Sequence, residues 1–283
     1  MVGLGSGGGI QFASSAGVTD STQARNAFIS ELYSIAKVNR LWLPSSSDSG
    51  TTTTELSRNE GTINWQDSTT AKDISTFTTS GLGEGIAYTF DGSNDNGELS
   101  ADSDVDSYGD GANDSPFSGA ALVNLTADTA VKTMISKFAT SNREWRFFFD
   151  ASEFLTVALT DESASGAAIG RAESSASVIT PGTYALVGFS YDGSRVSSGC
   201  KLWGFLAGGS VRGQIDTADS ESGTYVAMEN LTQGMQIGAR GGGGTDPFNG
   251  QMAMAIVYAA ALTETQWESL AARVGAYHEL TLV

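Results

Sequence analysis

From about residue 38 onward, apolar and polar positions alternate over short runs, the period-two pattern of half-buried strands. The runs at 130–138, 144–149, 154–160, 184–191, 200–206, 209–216, 234–239 and 250–259 each read as a strand. Turn-forming residues separate them: Thr180-Pro181-Gly182, Asp192-Gly193, Gly208-Gly209 and the stretch from Gly241 to Gly244. In the last run Met252, Met254, Ile256 and Tyr258 fall on one face and Ala253, Ala255, Val257 and Ala259 on the other. Both faces are apolar, so both are expected to be covered. Many short strands without alternating helices predict an all-β sandwich of antiparallel sheets rather than a parallel α/β sheet.

Two segments carry helical spacing instead. Asp20 to Gln23 places an N-cap residue three positions before a Gln, and Phe28, Ile29, Leu32, Ile35 and Ala36 follow on one face. This predicts an amphipathic helix over 22–37, ended ahead of Leu41-Trp42-Leu43-Pro44, where Pro44 holds its predecessor extended. Thr263 to Gln266 forms a second capping box, with Trp267, Leu270, Ala271 and Val274 behind it and Gly275 in the C-cap position. A helix over 263–275 with Trp267 in the core is expected. Residues 1–19, rich in Gly, Ser and Ala, read as a flexible arm. The organisation is thus an arm (1–19), a helix (20–37), one β domain (38–276) and a tail (277–283), with the lone His278 exposed on the tail.

Charge narrows the function classes. Among 283 residues, 15 Lys and Arg face 32 Asp and Glu, a formal charge of −17. Such a polyanion is unsuited to nucleic acid, whose binding depends on basic side chains displacing counterions, and to anionic membranes. The charge serves either solubility or a charge-steered partner. Cys200 is alone, so no intrachain disulfide forms, and its place at the head of an apolar strand marks it as a core residue. No apolar run approaches the roughly 20 residues of a membrane span. The first residues show neither a basic region nor an apolar stretch of the secretory kind. The expected course is synthesis in a cytoplasm, with any external location reached as part of a particle.

Several phrases, in order, resemble one family of sandwiches. Leu41-Trp42-Leu43 with Glu55-Leu-Ser-Arg-Asn-Glu-Gly-Thr62 looks like an opening strand and its loop. Ala87 to Asp95 looks like a strand ending in Phe-Asp-Gly. Met134 to Phe138, Arg143 to Phe148, Thr180 to Thr183 and Ser190 to Gly193 look like middle strands, and Phe248-Asn249-Gly250 with Ile256 to Tyr258 and Ala261 to Glu264 looks like the last strand and helix. Together, over about 38–276, they resemble the concanavalin A-like jelly rolls of the laminin G and pentraxin-like type, especially those of bacteriophage structural proteins. The resemblance implies a non-enzymatic virion surface protein, a head decoration or tail-associated component present in many copies. It would be attached to a shell or tail protein, and host-glycan adhesion is compatible with that role. The alternative is a calcium-dependent carbohydrate-binding lectin module; a glycan hydrolase ranks below both. In such relatives an acidic pair follows the glycine of the terminal strand, whereas Gly250-Gln-Met-Ala253 is neutral here.

Catalytic chemistry finds little support in the sequence. A glycosidase needs two carboxylates at a fixed separation, and Glu144 and Glu153 flank separate strands. Calcium is the one candidate cofactor: Asp102, Asp104, Asp106 and Asp110 place oxygens along one run, and Asp91 and Asp95 could join from the preceding strand. The competing reading is a solvated acidic loop. Tyr108, in that same stretch with Phe117, is the candidate exposed ring for stacking on a sugar. For attachment, the candidates are Ile10 and Phe12 of the arm with Phe28, Ile29, Leu32 and Ile35 of the first helix, unless that helix instead caps the sandwich.

Overall fold

The computed structural model describes residues 21–283 apart from 46–47, 49–50, 58–60, 68–69, 72–76, 79–81, 84, 100–102, 128, 173–178, 210, 217, 220 and 242–243. The described strands form two antiparallel sheets. Sheet A holds β1 (Val38–Trp42), β5 (Phe77–Thr78), β6 (Ala87–Asp91), β8 (Phe117–Leu125), β13 (Tyr184–Tyr191), β14 (Cys200–Leu206), β15 (Arg212–Gln214) and β18 (Asn249–Tyr258). Sheet B holds β2 (Thr52–Thr54), β3 (Thr62–Asp67), β4 (Thr70–Ala71), β7 (Asp95–Leu99), β9 (Lys132–Ala139), β10 (Asn142–Phe149), β11 (Leu155–Asp161), β12 (Ala167–Ala172), β16 (Ala218–Asp219) and β17 (Gln236–Ile237). Non-sequential neighbours such as β13–β8–β18–β6 give the crossed connections of a jelly roll. Helices α1 (Ser21–Ile35) and α3 (Glu264–His278) flank the sheets, and a single turn, α2 (Ser103–Asp106), lies between strands.

The core between the sheets is aromatic. Trp145, Phe147 and Phe149 of β10 meet Phe117, Phe189 and Tyr191 of sheet A, all fully buried. Each such side chain contributes about 1.5–3 kcal/mol relative to its exposed state. Their alternation made β10 and β13 readable. Strand β8 was not readable, because sheet A is covered on both faces and its Phe-Ser-Gly-Ala-Ala-Leu-Val run has no polar face. Phe117, expected in a loop, therefore opens a central strand.

A second core lies outside sheet A, where α1 and α3 cover Leu122, Leu186, Ala253 and Met254. Trp267 of α3 stacks on Trp203 with centroids 5.8 Å apart and gives its indole hydrogen to Ser190 Oγ at 2.7 Å. The backbone beneath must be bare: a Cβ on Gly188 would lie 2.1 Å from the Trp267 ring. The expected capping box is present, with Thr263 and Gln266 bonded reciprocally.

Four expectations are corrected here. Phe28 and Leu32 are buried, and Ile29 and Ile35 pack beside them in the same cluster, so this face of α1 closes the fold instead of attaching it to a partner. Ile10 and Phe12 lie outside the described residues. Helix α3 continues through Gly275 to His278, because the chain turns back at Glu279 (φ 54°) and Leu280 N–H bonds Gly275 O at 2.8 Å. Gly275 serves that close approach, since a Cβ there would stand 2.6 Å from Leu280 O. His278 is consequently buried, not exposed on a tail. Finally, β18 carries a register shift between Met252 and Met254, so Met252 faces the inter-sheet core while Met254, Ile256 and Tyr258 face the helices. Both faces are covered as expected.

Candidate functional site

The acidic stretch does not assemble as a cation site among the described residues. Asp106 points inward and receives Arg40 in a fork, Nε to Oδ1 at 2.7 Å and Nη2 to Oδ2 at 3.2 Å, with Glu55 3.6 Å from the same guanidinium. This corrects its reading as a calcium ligand: its charge is already matched by a buried arginine. Asp110 accepts from Ala112 N–H at 2.9 Å and Asn113 N–H at 2.6 Å, and these bonds hold its carboxyl below the usual range. Asp91 accepts from Ser93 N–H at 2.8 Å across the turn at Gly92, and Asp95 accepts from Asp91 N–H at 3.1 Å. Asp102 and the side chain of Asp104 lie outside the described residues. Among the described residues no group of three or more His, Cys, Asp or Glu is placed to hold a metal.

Tyr108 is also corrected. Its ring is buried against Phe117, 4.0 Å between centroids and 2° from parallel, and its hydroxyl accepts from Asn39 Nδ2 at 2.8 Å. No face is open to a sugar. Glu144, considered as a catalytic acid, is fully buried and paired with Lys137; it accepts from Ser107 Oγ at 3.0 Å and Leu231 N–H at 2.8 Å. Burial raises its pKa to about 7 against the lowering effect of Lys137. Glu153 turns instead toward Lys132, at 3.4 Å. Cys200 is buried, which pushes its thiol well up and fits its core reading.

Open chemistry is found on the outer face of sheet B. The β9–β10 hairpin turns at Thr140-Ser141, with Ser141 at φ 63°, and sets Phe138 opposite Arg143 and Ser136 opposite Arg146. The β11–β12 turn brings Glu162, and the short turn 240–245 brings Arg240. Together Phe138, Thr140, Ser141, Arg143, Arg146, Glu162 and Arg240 line a cavity of about 430 Å³. The Arg146 guanidinium lies 3.6 Å above the Phe148 ring centroid and 5.5 Å from that of Phe138; Arg240 approaches the same Phe138 ring at 5.4 Å. Such stacking holds a guanidinium plane in place while leaving its edges to bond.

Two carboxylates serve the three arginines. Arg143 Nε donates to Glu162 Oε2 at 2.5 Å, and Arg143 rests over Gly166, whose Cβ would stand 2.5 Å from Nη2. Arg146 Nη1 and Arg240 Nε converge on one oxygen, Asp246 Oδ2, at 2.7 and 2.5 Å. Arg146 Nε is buried without a hydrogen-bond partner among the described residues. Within these ion pairs the arginines outnumber their carboxylate partners by one, in a strongly acidic chain. Burial lowers the Arg146 pKa to about 10, so the group stays charged at neutral pH. An aromatic ring edge, two hydroxyl residues and an under-neutralised arginine cluster can take a hydroxylated ligand carrying a carboxylate. Sequence reasoning passed over these residues because they are scattered from 138 to 240. The signal that could have found them is Arg143 and Arg146 flanking Trp145 on one strand in a chain with few cations.

No protein-family model and no curated protein sequence matches the chain. Some solved structures are similar to it at low identity. The carbohydrate-binding domain (CBM40) of the Ruminococcus gnavus IT-sialidase, bound to α2,3-sialyllactose, has 13% identity and a TM-score of 0.42, over 67% of this chain and 95% of that one. Domain 4 of the extracellular arabinanase AbnA from Geobacillus stearothermophilus, in complex with arabinotriose, has 12% identity and a TM-score of 0.44, over 83% and 98%. The botulinum neurotoxin serotype G binding domain has 10% identity and a TM-score of 0.48, over 83% of this chain and 50% of that one.

Proposed function

We propose that the protein is a non-enzymatic carbohydrate-binding module whose arginine cavity on sheet B takes an acidic saccharide. The observation that carries this reading is the convergence of Arg146 and Arg240 on a single Asp246 oxygen beside the Phe138 ring. A ligand carboxylate supplies the missing counter-charge, its hydroxyls meet Thr140 and Ser141, and its apolar face meets Phe138. The burial of Glu144 and Asp106, each paired with a cation, supports a binding role over a catalytic one. Known binders of sialyllactose and arabinotriose share the architecture, but the reading stands on the cavity alone.

The test is calorimetric titration with 3′-sialyllactose and a glucuronate-containing oligosaccharide, with lactose as the neutral control. Acidic probes are expected to bind and lactose to bind weakly at this site. Arg143→Gln, at the more exposed rim, should weaken binding about tenfold with an unchanged melting temperature, the size of one charge-assisted contact. Equal binding of lactose and sialyllactose, or unaltered binding by Arg143→Gln, would overturn the assignment.

The virion placement implied by the sequence resemblance becomes, within this reading, the proposal that the module is displayed on a particle through residues 1–19. Deleting those residues should leave the melting temperature nearly unchanged and abolish incorporation into particles. Normal incorporation of the shortened chain defeats it.

A further inference from the structure

Helices α1 and α3 cover only part of sheet A. Toward one end of the sheet its outer face changes from apolar to polar along a single cross-strand row. Tyr184 of β13 pairs Asn124 of β8, Asn124 pairs Gln251 of β18, and Gln251 pairs Thr89 of β6. One position further along each strand, the residues face the inter-sheet core, as Tyr88, Val123 and Met252 do. Thr89, Asn124 and Gln251 line a cavity of about 480 Å³, closed at its side by Thr126 and the Pro181-Gly182 turn.

The chemistry of this row is uniform. Among its lining residues none is charged. Tyr184 reaches past Asn124 and donates its hydroxyl to Gln251 Oε1 at 2.7 Å, which fixes the amide and directs Gln251 Nε2 away from it. The side chains of Asn124, Thr89 and Thr126, and Nε2 of Gln251, make no hydrogen bond to another described residue. Neighbouring strands stand roughly 4.8 Å apart, so the row presents its donors and acceptors in a line across the groove. At Gly182 (φ 82°) no atom lies within 4 Å of where a Cβ would stand, which leaves backbone open at the rim.

We propose that this groove is a second saccharide site, selective for neutral oligosaccharides. Amides and hydroxyls without a charge give no advantage to an anion, and the paired donor and acceptor of a carboxamide match vicinal hydroxyls. The site lies on the opposite face of the sandwich from the arginine cavity, so one domain can engage two different chains at once. It does not depend on the arginine cavity being a binding site.

The experiment is a two-dimensional NMR titration of the intact protein with maltotetraose, cellotetraose and xylotetraose. Shifts are expected at the amides of residues 124–126, 182 and 250–251 with at least one of these probes. Asn124→Ala and Gln251→Ala should each weaken that binding about fivefold or more, while Thr126→Tyr, which fills the groove without removing the row, should abolish it. Arg143→Gln should leave it unchanged. Melting temperatures of Asn124→Ala and Thr126→Tyr within a degree or so of the parent show that loss of binding is not loss of fold, whereas Gln251→Ala also removes the acceptor of the Tyr184 hydroxyl and lowers the midpoint. Absence of shifts in the groove with all three neutral probes overturns the proposal, as does undiminished binding by Thr126→Tyr.

Discussion

His278 carries the clearest consequence at the scale of single residues. Its ring is fully buried between Phe28, Tyr277 and the backbone at Gly85, and neither ring nitrogen has a hydrogen-bond partner among the described residues. Burial lowers its pKa from 6.5 to about 3. Between those values the unfolded chain binds a proton that the folded chain does not, so stability falls as pH falls, by up to about 1.4 kcal/mol per pH unit. Replacing His278 by Leu removes this loss and two unsatisfied polar atoms. Denaturant unfolding should find the variant as stable as the parent or more so at pH 7.5, and distinctly more stable at pH 4.5. Parallel stability profiles for both proteins would show that the ring is not the acid-sensitive group. The buried pair Lys137–Glu144 makes the opposite case. Lys137→Met leaves Glu144 uncompensated and should cost about 3–5 kcal/mol, while Lys137→Met with Glu144→Leu should recover most of that. Equal losses in the single and double variants would contradict it.

At the scale of elements, α3 docks through a stripe of Trp267, Leu270, Ala271 and Val274, in which Trp267 sits on one bare backbone position, Gly188. Gly188→Ala puts a methyl into the Trp267 ring, and overpacking of this kind costs about 1–3 kcal/mol or more. The loss should register as a lower unfolding midpoint together with changed tryptophan fluorescence, since Trp203 is stacked on Trp267. A fluorescence spectrum and midpoint unchanged from the parent would mean that α3 docks otherwise. Elements were legible in the sequence where one face differs from the other or where a cap is local. The capping box at Thr263 and the alternation of Trp145, Phe147 and Phe149 are both short-range signals. Strand β8 and strand β12 escaped because Gly119-Ala120-Ala121 and Ala167-Ala168 have no contrast between faces. The candidate site was illegible for a related reason. Arg40 and Asp106 stand 66 positions apart, so the alternating aspartates looked like free ligands. Arg146, Glu162 and Arg240 become neighbours only when three separate turns are folded.

For the whole molecule the sign of the charge and the sign of the site are opposed. The chain carries −17 overall, yet in the ion pairs of the arginine cavity the arginines outnumber their carboxylate partners by one. If the cavity takes an anionic saccharide as proposed, that ligand is repelled at a distance and attracted on contact. These two terms respond differently to salt. The diffuse repulsion acts over tens of ångströms and is cut back when the screening length falls from about 30 Å at 0.01 M to about 8 Å at 0.15 M. The contact pairs are half-buried, with Arg146 only 16% exposed, and are screened far less. Added salt over this range therefore removes mainly the unfavourable term. The apparent Kd for 3′-sialyllactose should stay level or tighten between 0.01 and about 0.15 M salt, the reverse of a basic protein that draws its ligand by net charge. Affinity for a neutral oligosaccharide in the sheet A groove should not change. Calorimetry across the salt series reads both ligands on the same protein. Steady weakening of the acidic ligand from the lowest salt upward would show that attraction by the arginines outweighs the repulsion from the net charge of −17, and would overturn this expectation.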